Sequence, residues 1–119
     1  VIERLRADPR FPDRPDTSDL IPATETPLNH AVNYGQRVIG YLCPPVTGDY
    51  QFFVSADNQA ELWLSSDADP ANRQLVAREP EWSGHRQFNG TPTGSRPNQE
   101  NHSAPVRLEA GRLYYLELV

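Results

Sequence analysis

The sequence contains no lysine, no methionine, a single cysteine and no long apolar run. All eleven basic residues are therefore arginine. Without lysine the chain has no Schiff-base chemistry and no phosphate loop of the kind in which a lysine is obligatory. A formal charge of −5 argues against binding nucleic acid through phosphate contacts, which need a basic face. One cysteine, Cys43, excludes an intrachain disulfide and a cysteine zinc knuckle. Set in an apolar stretch just before two prolines, it reads as a buried, inert thiol. No stretch approaches the ~20 apolar residues of a membrane span, and none has the pattern of a signal peptide, so membrane insertion is not expected. A chain that lacks methionine, begins at Val1 and stops at Val119 inside a strand-like run reads as a piece of a larger polypeptide.

What is present is proline, glycine and short β-forming segments. The length of 119 residues suits one domain. Residues 1–33 read as an N-terminal arm of the same domain. Val1 to Ala7 is the one helical candidate, with Ile2 and Leu5 inward. The proline-rich stretch from 8 to 30 has no helical stripe and reads as extended, with Phe11, Leu20, Ile21 and Leu28 available to dock it. From residue 34 to 119 the pattern is strand-like. Arg37 to Cys43 is β-branched and aromatic and ends at Pro44-Pro45, since proline cannot donate to a ladder. Val46 to Asp49 reads as a turn, with Gly48 supplying a positive φ and Gly111 doing the same near the end. Tyr50 to Ala56, Ala60 to Ser65, Arg73 to Ala77, Val106 to Leu108 and Leu113 to Val119 complete the strands. Tyr50, Phe52, Leu62, Leu64, Leu108, Tyr114 and Leu116 are spaced as inward positions. Strands at roughly ten-residue intervals indicate an all-β sandwich or barrel. Residues 79 to 102 form a long polar loop, a length that usually carries function.

Three segments, residues 37–50, 53–64 and 106–116, resemble in content, order and spacing the PA-fourteen family, the β-sandwich module of anthrax-type protective antigens. They carry Thr47-Gly48-Asp49-Tyr50, Asp57-Asn58 and Leu113-Tyr114-Tyr115-Leu116 respectively. The resemblance covers residues 34 to 119 and implies an antiparallel β-sandwich. The long insertion with Trp82 is similar to that of large secreted bacterial members. Family members usually continue beyond the last Tyr-Tyr strand. The expectation is therefore that C-terminal strands are missing, leaving beside Leu113 to Val119 an open edge or uncovered apolar surface for further chain or another molecule.

In the sugar-binding adhesin branch of that family, the position of Asp57-Asn58 is an Asp-Asp pair joined by a cis peptide, holding calcium that takes two sugar hydroxyls. The resemblance thus implies Asp57 and Asn58 as calcium ligands. Calcium takes several oxygen ligands, and a neutral amide in place of the second carboxylate removes one negative charge. The same pair also suits a purely structural turn. Further ligands would come from the long loop, at Asn98, Glu100 and Asn101. Trp82 is the better candidate for a sugar-stacking platform. Trp63 lies opposite Leu62 and Leu64 and reads as sheet surface or loop cover. Asp67-Ala-Asp69-Pro-Ala-Asn72 lacks the glycine an EF-hand needs at its sixth position and reads as an Asx turn.

Catalytic signatures are missing. His30, His85 and His102 lack zinc spacing, and no Gly-x-Ser-x-Gly elbow occurs. The expected function is a non-catalytic carbohydrate-binding or adhesion module of a larger secreted, surface or periplasmic protein, with a glycan or neighbouring domain as partner. Calcium is the one cofactor implied. The rival expectation is a structural or protein-interaction module with no sugar or metal site.

Overall fold

A computed structural model describes residues 1–89 and 99–119. The elements are helix α1 (Ile2–Ala7), strands β1 (Val38–Leu42), β2 (Gly48–Tyr50), β3 (Ala60–Ser65), β4 (Arg73–Glu79), β5 (Val106–Leu108) and β6 (Tyr114–Leu118), and a 3-10 turn at Pro70–Asn72. The chain is all-β and antiparallel. A four-stranded sheet runs β1-β6-β3-β4, and a two-stranded sheet pairs β2 with β5.

Period-two alternation builds the core between these sheets. Leu64, Leu108 and Tyr114 form one buried cluster, packed by Leu42, Tyr50 and Val106. Val54, Ala60, Leu62 and Ala77 form another, and Phe52, Val76 and Leu116 touch both. Val76 and Ala77 are consecutive, yet both pack inward. The register shifts between Leu62↔Ala77 and Trp63↔Leu75, and the extra residue of that bulge turns Val76 toward the core.

The segment read as a strand from Tyr50 to Ala56 is irregular after Tyr50. Two buried serines replace the ladder there. Phe52 N donates to Ser103 Oγ at 2.8 Å, while Ser103 N donates to Phe52 O at 2.9 Å. Ala56 and Ser83 repeat the arrangement at 3.0 and 2.8 Å. Side-chain hydroxyls accept where a carbonyl would stand in a ladder, so the chain is paired without being a regular strand.

Other expectations need correction. Gly48 is a β2 residue rather than a positive-φ turn residue; among the described glycines only Gly111 has positive φ, at 76°. A Cβ at Gly111 would meet nothing within 4 Å, so Gly111→Ala tests backbone conformation alone. It is expected to cost about 1 kcal/mol in urea unfolding, since alanine resists that region. Cys43 is exposed. Alternation places it with Tyr41 on the outward side of an edge strand, opposite the core-facing Leu42. Residues 8–37 hold turns and bends in place of a continuous extended run. Leu20 and Leu28 are exposed rather than docked.

The largest correction concerns the last strand. β6 lies inside its sheet, pairing with β1 through Val38↔Leu118 to Leu42↔Tyr114 and with β3 through Leu62↔Leu118 to Leu64↔Leu116. The expected open edge beside it is absent, because β1 and β3 occupy both sides. Its outward residues Tyr115 and Glu117 are nonetheless buried, at 5% exposure each. The N-terminal residues approach that face. Arg6 pairs with Glu61, the Val1 amine donates to Gln59 Oε1 at 2.8 Å, and Gly35 abuts Leu5.

Candidate functional site

The 52–58 segment carries the expected ligands at its end, flanked by both ends of the long loop. Asp57 forms an isolated antiparallel bridge with Trp82, held in place by the neighbouring Ala56–Ser83 bonds. Asp57 and Asn58 are exposed, and the peptide between them is cis, the conformation the resemblance implies. Trp82 is 39% exposed. On the other side Phe53 bridges His102, and Val54 N donates to Asn101 O at 2.9 Å.

Asn101 is fully buried. Its Nδ2 donates to Val54 O at 3.3 Å and to Phe88 O at 2.9 Å. Those bonds fix the amide and tie the loop to the strand-like segment. Its Oδ1 is buried and has no hydrogen-bond partner among the described residues. A buried acceptor without a donor is rare and costly in a folded protein.

Of the expected site residues, then, Asp57 and Asn58 end one irregular segment that Trp82 and Asn101 flank. Asn98 lies outside the described residues. The backbone of Glu100 runs along the outer edge of β4, where its carbonyl accepts from Arg78 N at 2.8 Å. Among the described residues, no three His, Cys, Asp or Glu side chains gather where they could hold a metal ion. A metal here would depend on amide and backbone oxygens beside Asp57. Asp67-to-Asn72 is the Asx turn expected. Asp67 Oδ1 accepts from Asp69 N at 2.9 Å, and Asp69 Oδ1 accepts from Ala71 N at 2.8 Å.

Sequence reasoning missed a second polar cluster, on the outer face of the four-stranded sheet. Glu117 accepts from Arg37 Nε at 3.1 Å and from the Tyr115 hydroxyl at 2.8 Å, and Arg73 Nε lies 3.4 Å away. Burial pushes the Glu117 carboxyl up, but the bonds from Arg37 and Tyr115 and the charges of Arg37 and Arg73 outweigh it. The net result is a carboxyl below the usual glutamate range. Trp63 Nε1 donates to Glu61 Oε2 at 3.0 Å, and the guanidinium carbons of Arg6 and Arg73 lie 5.9 and 6.0 Å from the indole centroid. The available signal was Glu117 itself, a charge inside an apolar β6.

A profile of the PA14 domain matches residues 12–119. N-acetyl-beta-glucosaminyl-glycoprotein 4-beta-N-acetylgalactosaminyltransferase 1 of Mus musculus is 36% identical over 129 residues, covering 100% of this chain and 11% of the relative. Fibrocystin of Canis lupus familiaris is 34% identical over 49% of this chain, and that of Mus musculus 28% identical over 68%, each match covering 2% of the relative. The chain thus spans about a tenth or less of these relatives. No solved structure matches it significantly. The transferase overturns the expectation of a protein without catalytic activity, because the matched region occurs within an enzyme. At 11% of that enzyme's length, the match carries no catalytic activity to these residues. The expected bacterial type finds no support in these mammalian relatives.

Proposed function

Because the chain belongs to the PA14 domain family, we propose that it is an extracellular carbohydrate-binding module whose Asp57, Asn58 and Asn101 hold calcium. A PA14 domain similar to parts of a glycosyltransferase and of fibrocystins fits a carbohydrate-binding or adhesion module. Among the described residues no helix is long and apolar enough to cross a membrane.

The observation that carries this reading is the unpartnered Oδ1 of Asn101, buried beside the segment that leads to Asp57 and Asn58. All three side chains offer oxygen, the donor type calcium requires. Calcium held by these oxygens would offer vicinal sugar hydroxyls a cation to bind. The protein's own part is to fix the acceptors: the two Nδ2 bonds set the plane of the Asn101 amide, and the Ser83 bonds anchor the residue before Asp57. Exposed Trp82 stands beside Asp57 as a surface for the apolar side of a sugar ring. With one carboxylate where the adhesin pattern has two, affinity is expected in the weak range of extracellular modules, about 10⁻⁴–10⁻³ M.

Calorimetry tests this. Calcium at a hundredfold excess over its Kd is expected to stabilise the chain by about 2.7 kcal/mol. Asp57→Ala is expected to abolish that shift without altering metal-free stability, since Asp57 is exposed. A glycan array should show binding with calcium and none with a chelator. A melting temperature indifferent to calcium, with no glycan retained, would sink the reading. It would favour the rival, a protein-interaction module, to which the exposed Ile39 and Tyr41 of edge strand β1 lend support.

A further inference from the structure

We propose that the cavity between the N-terminal residues and the outer face of the four-stranded sheet binds a sugar acid, a monosaccharide bearing a carboxylate. Its lining includes neither Asp57 nor any other residue of the calcium proposal. Arg6, Arg37 and Arg73 enter it, Glu117 forms part of its lining, and Phe11 and Trp63 supply aromatic walls.

Arg6 is matched from outside the lining by Glu61, which also accepts from Trp63, and the charge of Glu3 acts on it too. Within the lining, Arg37 and Arg73 face the single carboxylate of Glu117, which leaves one positive charge over in a chain whose total is −5. The unused hydrogen-bond donors belong to the same groups. Arg37 commits Nε and Nη2 to Glu117 and Tyr115, and its Nη1 bonds to nothing among the described residues. Arg73 commits Nε to Glu117 and Nη1 to Pro70 O, and its Nη2 is likewise unused. Guanidinium donors pair best with a carboxylate, whose two oxygens can each accept. One negative charge balances the surplus, whereas a phosphate dianion would exceed it.

The remaining walls select the body of the ligand. Phe11 and Trp63 are half-buried and offer ring surface of the kind the apolar side of a pyranose covers. The cavity measures about 300 Å³, at the small end of ligand sites, so it admits one sugar unit rather than an oligosaccharide. Residues from the N-terminal segment and from β3, β4 and β6 all contribute. The site therefore exists only once those first residues have docked.

The test is titration calorimetry of the chain with glucuronate, glucose and inorganic phosphate, all in a chelator so that calcium plays no part. Glucuronate is expected to bind saturably and at least about tenfold more tightly than glucose, the factor that one charge-assisted hydrogen bond supplies. Arg73→Gln is expected to weaken glucuronate by about the same factor, since Glu117 keeps Arg37 as its partner. Phe11→Ala should weaken it without touching any ion pair, and it decides the matter if Arg73→Gln unfolds. Asp57→Ala should leave glucuronate binding unchanged. Equal binding of glucose, or phosphate binding as tightly as glucuronate, overturns the proposal. So does unaltered affinity in Phe11→Ala. Loss of glucuronate binding in Asp57→Ala would also overturn it, by moving the sugar acid to the other site.

Discussion

Replacing Asn101 by alanine is expected to destabilise the chain by about 2–4 kcal/mol, measured by urea unfolding in a chelator. The side chain is fully buried, and its two donated bonds span from Val54 to Phe88. Alanine leaves two carbonyls without that donor and opens a small void in a place with no slack. Asparagine itself is not a comfortable occupant, because its Oδ1 already lacks a donor among the described residues. Asn101→Asp separates the two roles. It keeps the size and the acceptor, loses the donor pair and adds a buried charge, so without metal it should be at least as damaging as alanine. With calcium, the added carboxylate gains a partner and the gap to the wild type should narrow. An aspartate variant that calcium does not rescue would show that Asn101 is structural only.

Glu117→Ala is expected to cost a similar amount, about 2–4 kcal/mol, because it removes the buried carboxylate that Arg37, Arg73 and the Tyr115 hydroxyl share. Loss of the partner matters more than loss of the attraction, since Arg37 and the buried Tyr115 both donate to that one carboxylate. The pH dependence identifies the cause. The folded carboxyl titrates below the ordinary glutamate value of about 4.3. Its contribution is therefore complete above that pH and is lost as the pH falls through the folded value. The difference in stability between wild type and variant should stay level from pH 7 to about 5 and shrink below about 4. A difference that persists unchanged in acid would mean that packing, rather than the ion pair, sets the effect.

The sandwich was legible because its strands obey period two. Leu62, Leu64, Leu108 and Tyr114 are all buried, and Trp63 faces the other way as alternation requires. The Asx turn at Asp67–Asn72 was equally plain, since its side chains bond their own backbone. What failed to show in the sequence depends on which distant segments meet. Nothing near Phe52 reveals that Ser103 completes its hydrogen bonds, and nothing near Cys43 reveals that β1 is an edge. The candidate site was half legible. Asp57-Asn58 stood out by resemblance and Asn101 by its place in the polar loop, but the burial of Asn101 and its unmatched oxygen are tertiary facts. The arginine cavity gave least warning, since Arg6, Arg37 and Arg73 are far apart along the chain. Only Glu117 hinted at them.

The position of β6 between β1 and β3 also dictates an order of events. During synthesis residues 38–42 and 60–65 emerge early, yet neither can reach the other across the sheet until residues 114–118 arrive to separate and join them. Before that moment β3 has only β4 beside it, and β1 has no partner in its sheet. Closure therefore waits on contacts between opposite ends of the strand-bearing region, a topology that slows folding. It also leaves the apolar inner faces uncovered while the chain is still being made. A nascent chain halted short of Tyr114 should bind a hydrophobic-capturing chaperone, and one in which residues 114–118 have emerged should let go.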